Sequence, residues 1–243
     1  METKPRRIGM ITPSSNTVVE PVTFAMTGRL SPPVTAHFTR IEVKTISLEA
    51  DSMSHFDLSP MLRAAELLAD AEMDAIAWNG TAGAWRGLEH DEELCAAITQ
   101  ATGTPATTST LAQVEAFRAY GVERYALAVP YLDNVQQAIV ATFDAAGFRC
   151  VSSAHLDISI NKDFAYVPLP EIRELVRRGD SPEAEAIAII CTNFPVAWLV
   201  EELEAAHGKP VFDSTVLAVW QALRLAGVDA LMEGWGRLLR ERV

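Results

Sequence analysis

The chain has 243 residues, 49% of them apolar and 21% charged, the profile of a folded globular protein rather than a disordered one. Its formal net charge of −12 excludes a general nucleic-acid binder, which needs a basic face. The same charge means that an anionic ligand would have to be held by local donors rather than by the overall field, and no run reaches the roughly 18 uninterrupted apolar residues of a membrane span.

The opening "METKPRRIGMITP" is basic but passes directly into a strand pattern without a small-residue cleavage site, which makes the cytoplasm the expected compartment. In chain order, strands are expected at Arg7–Thr12, Ala36–Val43, Asp74–Trp78, Pro105–Thr108, Tyr125–Val129, Cys150–Leu156, Ala186–Cys191 and Pro210–Asp213. Amphipathic helices are expected at Asp57–Glu72, Asp91–Ala101, Leu111–Tyr120, Asn134–Ala146, Pro168–Arg178, Pro195–His207 and Val216–Ala226. Alternation of this kind implies parallel sheets with right-handed crossovers. Neither GxGxxG nor GxxxxGK[ST] occurs, which removes the usual dinucleotide and P-loop readings. The three cysteines and five histidines show no metal-ligand spacing.

The two halves resemble each other. "GTPATTST" (Gly103–Thr110) matches "GKPVFDST" (Gly208–Thr215), and each precedes a helix. "IGMITPSSN" (Ile8–Asn16) resembles "YALAVPYLDN" (Tyr125–Asn134): a strand, a proline, then a polar turn opening a helix. Two similar α/β units explain this better than one eight-stranded barrel, and their shared cleft is the natural ligand site. Under the repeat, the loop in "AIAWNGTAG" aligns with that in "AIAIICTNF", so Gly80-Thr81 faces Cys191-Thr192.

Cys191 follows an apolar run and precedes a helix expected from Pro195. A thiol at a helix N-terminus has its thiolate stabilised by the backbone dipole; a small buried core cysteine is the competing reading. Cys95 and Cys150 read as structural. Ser14, Ser15 and Asn16, after Pro13, either bind a carboxylate through hydroxyl, amide and backbone N–H groups or simply cap a helix. Tyr131 is the donor of the counterpart loop or a packed aromatic, and Asn161 reads as a turn residue. The acidic runs, such as "EHDEEL", read as solvated faces.

Taken together, "GMITPSSNTVVEP", the "NGT" loop, "GTPATTST", "ALAVPYLDNV", "IICTN", "PVFDS" and "GWGRLL" resemble the aspartate/glutamate racemase superfamily, in its branch of maleate cis–trans isomerases and arylmalonate decarboxylases. The resemblance implies two pseudo-symmetric Rossmann-like (flavodoxin-like) α/β domains. Each has a mainly parallel four-stranded sheet, with the active site in the cleft between them. Residues 1–120 plus 214–243 would form one domain and 121–213 the other. It also implies chemistry without cofactor or metal on a small dicarboxylate, with no nucleic-acid or membrane partner and room for a homo-oligomer.

The racemases of that superfamily use two cysteines, one per half, to move a proton on opposite faces. Here Gly80 stands at the first position and Cys191 at the second, as in the decarboxylases. The implied reaction is decarboxylation of a substituted malonate through an enediolate, which Cys191 protonates from one face. Thr81, Tyr131 and backbone N–H groups around Cys191 and Thr192 would hold the oxyanion, with Asn193 beside them. Ala82 stands where a decarboxylase has a serine donor, and Asn161 where it has an apolar wall. Asn16, Tyr131 and Asn161 resemble the isomerases' carboxylate-binding set instead. A maleate-type cis–trans isomerase is therefore the alternative, and a non-catalytic dicarboxylate binder is a further one.

Overall fold

The computed structural model describes residues 4–28 and 30–241. Its first half runs β1 (Arg6–Pro13), α1 (Val19–Thr27), β2 (Val34–Ile41), α2 (Ala50–Ser54), α3 (Leu58–Ala69), β3 (Ala75–Trp78), α4 (Gly83–Arg86), α5 (Leu88–Thr102), β4 (Ala106–Thr108) and α6 (Ser109–Ala119). The second half begins with β5 (Arg124–Val129), α7 (Asp133–Ala145), β6 (Arg149–His155), a 3-10 turn at Asn161–Tyr166 and α8 (Leu169–Gly179). It continues through β7 (Ala186–Ile189), a 3-10 turn at Ala197–Leu199, α9 (Val200–His207), β8 (Val211–Asp213) and α10 (Ser214–Leu225), and α11 (Arg237–Arg240) follows.

The strands form two all-parallel sheets of identical topology, β2-β1-β3-β4 and β6-β5-β7-β8. The central strands β3 (AIAW) and β7 (AIAI) are buried throughout, as parallel strands covered on both faces must be. In such a sheet the ligand crevice lies at the carboxyl ends of the two strands where the winding reverses. Those ends are β1 and β3 in one half and β5 and β7 in the other, and every loop singled out in the sequence leaves one of them, Asn161 excepted, which follows β6. Pairing places Trp78 opposite Thr108 and Ile189 opposite Asp213, so the repeated segments occupy equivalent positions. Their glycines do the same job: Gly103 and Gly208 end α5 and α9 in the left-handed region, both at φ 72°.

The helices after the last strands cross between the halves. α10 packs on β3, β4 and α1 of the first half. In return, α6 sends Phe117 into the second, where its ring centroid lies 5.1 Å from Tyr125, 5.9 Å from Phe143, 5.1 Å from Phe148 and 5.8 Å from Phe212. The segment after α10 lies on α9: Gly234 and Arg237 donate backbone N–H groups to Glu201 and Glu204, and Trp235 packs 5.1 Å from Trp198. Residues 1–3 and 242–243, which belong to the expected first domain, lie outside the described residues.

At the start of α6 the Thr108 hydroxyl accepts the Leu111 N–H at 3.0 Å. Thr108→Ala removes this cap and is expected to cost about 1 kcal/mol, read as a lower urea midpoint with an unchanged slope.

Candidate active site

Asn16 is buried after β1, with its Oδ1 accepting the Val18 and Val19 N–H groups at 2.9 and 3.0 Å. Its Nδ2 donates to the Thr192 hydroxyl at 3.3 Å, and that hydroxyl donates to the Asn79 carbonyl at 2.9 Å. Asn193 accepts the Thr17 N–H at 3.0 Å and donates to the Asn161 carbonyl at 2.6 Å. Asn161 in turn donates to the Ser15 hydroxyl at 2.8 Å. Thr81 Oγ1 lies 2.9 Å from the Tyr131 hydroxyl, which also hydrogen-bonds the Cys191 sulfur. Eight residues named from the sequence therefore meet in hydrogen-bonded networks that join the two halves.

The others sit differently. Ser14 is exposed, and its oxygen accepts the Val43 N–H at 3.2 Å. Beside it Ser15, already tied to Asn161, donates to the Val43 carbonyl at 2.7 Å. These hydroxyls are engaged by the Val43 backbone just after β2. Pro13 closes β1, and Ala82 is buried at the start of α4.

Gly80 has no room for a side chain. A Cβ built on it would lie 2.1 Å from Cζ2 and 2.4 Å from Cε2 of Trp78. The wholly buried Trp78 indole thus fills the space that a side chain at position 80 would claim. Phe56 packs 6.4 Å from that ring and 5.9 Å from Trp85, and Trp85 meets Tyr131 at 5.4 Å. An aromatic wall therefore extends from Gly80 to Tyr131.

The helix expected from Pro195 begins only at Val200. The strand expected to reach Cys191 ends at Ile189. Cys191 lies in a turn whose Thr192 and Asn193 side chains are tied across to the first half, and Pro195 disfavours helix at the residue before it. The helix-dipole account of a stabilised thiolate is therefore replaced by burial. With 1% of its surface exposed, Cys191 has its thiol pushed up to about 12 by loss of solvation, against which the Tyr131 hydroxyl and the Asn193 N–H draw it down. Burial also holds the Tyr131 hydroxyl well above its ordinary range. The resting sulfur is a protonated thiol, suited to donating a proton. Cys95 and Cys150, likewise raised by burial, lie on α5 and β6, away from this loop.

Residues 44–46 of the first half pair with residues 159–161 of the second. The Asn161 N–H donates to the Lys44 carbonyl at 2.9 Å, Ile46 N–H to the Ser159 carbonyl at 2.8 Å, and Thr45 bridges Ile160 in antiparallel fashion. Arg40 steadies the β1 loop by donating to the Ser14 and Asn16 carbonyls, both at 2.9 Å.

Sequence reading missed Trp78, Phe56, Arg40 and Asp213. Asp213 alone carried a signal, as the acidic residue that stands where the other copy of the repeat has Thr108. Tyr131→Phe removes the hydroxyl between Thr81 and Cys191 and leaves the Thr81 hydroxyl unpaired and buried. About 1–3 kcal/mol of stability should be lost in denaturant titrations.

Comparison with known proteins agrees with this architecture. A curated maleate isomerase from Nocardia farcinica is 29% identical over 97% of this chain and 96% of its own. An arylmalonate decarboxylase from Bordetella bronchiseptica is 31% identical over 65% of this chain and 67% of its own. The solved structure of a mutant of Nocardia farcinica maleate cis–trans isomerase, with a covalently bound succinylcysteine intermediate, superposes with a TM-score of 0.92 at 26% identity, covering 99% of this chain and 100% of that one. The family model described as arylmalonate decarboxylase matches residues 8–239. The chain belongs to the arylmalonate decarboxylase family.

Proposed function

We propose that the protein is an enzyme that decarboxylates a small, substituted malonate-like dicarboxylate, with Cys191 as the proton donor. In the first step the bond to the leaving carboxylate breaks and its electron pair moves to the α-carbon. That pair spreads into the retained carboxylate as an enediolate while CO2 departs. Thr81, Tyr131 and the backbone around Thr192 would stabilise the developing oxyanion. The Cys191 S–H then gives its proton to the α-carbon from one face, and the thiolate regains a proton from water.

The observation that carries this reading is the single thiol at the cleft, opposite a Gly80 whose side-chain space Trp78 fills. Decarboxylation needs no base in its first step, so one sulfur suffices. A thiol held protonated by burial suits the donor role.

Cis–trans isomerisation of maleate is the second reading. The Asn16 and Tyr131 side chains bond the Cys191–Asn193 turn, and Asn161 meets it through its backbone carbonyl while its side chain holds Ser15, a set of polar groups suited to gripping two carboxylates. That route would require Cys191 to add to the alkene as a thiolate, against its raised pKa.

Proton NMR in D2O with maleate and a panel of substituted malonates separates the readings. Decarboxylation places one deuteron on the product's α-carbon, whereas isomerisation converts maleate to fumarate. No change with any of these substrates would leave a dicarboxylate-binding protein as the surviving account.

A further inference from the structure

The internal repeat lets one half serve as a control for the other. In each half, the last strand pairs with the strand that leads to the Gly80 or Cys191 loop, and the residue that starts the next helix stands opposite that strand's end. This residue is Thr108, opposite Trp78, in the first half and Asp213, opposite Ile189, in the second. The following serines act alike: Ser109 Oγ donates to the Trp78 carbonyl at 3.4 Å and Ser214 Oγ to the Ile189 carbonyl at 2.9 Å. Thr215 donates to the Thr192 carbonyl at 3.1 Å, so this corner grips the chain on both sides of Cys191.

The halves differ in charge where they differ in chemistry. The glycine half caps its helix with a threonine and the cysteine half with a carboxylate. Capping needs only one of the Asp213 oxygens: Oδ1 accepts the Thr215 and Val216 N–H groups at 2.9 and 3.0 Å. Oδ2 is buried with no partner. A cap alone explains neither a free buried oxygen nor its restriction to the half that carries the thiol, because Thr108 caps equally well without a charge.

We infer that Asp213 is a positioning residue for Cys191: its free carboxyl oxygen, buried beside the strand end that leads to the sulfur, adds to burial in keeping that sulfur in the protonated, proton-donating form. The inference rests on the reading of Cys191 as the reactive group. Burial raises the Asp213 carboxyl to about 7, and its charge in turn pushes the Cys191 thiol up. The carboxyl therefore ionises across neutral pH and, once ionised, opposes loss of the thiol proton.

Few other titratable groups stand near this corner. Tyr131 adjoins Cys191 from the end of β5. β3, β4 and β7 carry none. On α6, Glu115 pairs with Arg118, and Glu20 of α1 pairs with Arg40. On α9, Glu204 bonds the Val211 N–H at the opposite end of β8, Glu202 pairs with Arg173, Glu201 with Arg240, and His207 pairs with Asp180, as does Lys209 just before β8. Arg224 lies in the last turn of α10, over Trp220.

The test is the pH dependence of Cys191 alkylation by iodoacetamide, followed by mass spectrometry of the peptide containing it. Thiolate fraction, and so rate, rises tenfold per pH unit when no other group titrates. In the native protein the rate should fall below that line above about pH 7. Asp213→Asn keeps a capping oxygen but loses the charge. It should match the native rate at pH 5.5 and exceed it by about three- to tenfold at pH 8.5. Asp213→Thr, which copies the cap used by the first half, should behave identically and serves if the Asn variant does not fold. Curves of the same shape, whether coincident or shifted equally at every pH, would reduce Asp213 to a cap and overturn the inference. No substrate is involved, so this outcome is independent of whether the NMR assay detects turnover.

Discussion

Cys191→Ala should lower turnover by about 10²–10⁴-fold, the range lost when a positioned general acid is removed, while circular dichroism remains native. The side chain is small and its sulfur accepts from Tyr131 and Asn193, so the truncation leaves a modest void rather than an unpaired charge. Its cost falls on protonation of the α-carbon, because no second thiol stands near: Cys95 lies on α5 and Cys150 on β6. The same NMR assay measures the effect. A variant that retains native turnover would remove Cys191 from the chemistry and with it both enzymatic readings.

Gly80→Cys should not create a two-thiol site; it should destabilise the fold. The new Cβ meets the Trp78 ring at 2.1 Å, and that ring is wholly buried with Phe56 6.4 Å away, so it must be displaced within the core. A cost of about 3 kcal/mol, the upper end for overpacking, would lower Tm by roughly 6–12 °C. Trp78→Ala is itself costly, at about 3–5 kcal/mol, but it vacates the space the cysteine needs. The double variant should therefore lose less than the sum of the single losses. Additive losses would show that Trp78 does not fill the position.

These expectations also measure what could be read from the chain before it was folded. The two-unit architecture was legible because it is written locally: strand runs such as "AIAW" and "AIAI" alternate with amphipathic helices, and "GxPxxxST" recurs with its left-handed glycine and helix-capping residues. The loops at the strand ends were legible for the same reason. Boundaries were less so. The turn from Cys191 to Leu199 read as a helix from Pro195 because its apolar spacing is helical, whereas tethers to Thr17, Asn16 and Asn161 hold it open.

The sequence by itself determined that one half presents Cys191 and the other Gly80, because the repeat aligns them whatever the packing. Only the tertiary structure decided what that asymmetry means. The gap at Gly80 is filled by Trp78, whose ring position depends on packing against Phe56 from a distant segment. The thiol is governed by burial instead of a helix dipole. The Asp213 carboxyl is set opposite Ile189, two residues before Cys191, by β7–β8 pairing. Volume, solvation and charge depend on neighbours brought together by folding, and residue spacing along one chain does not contain them.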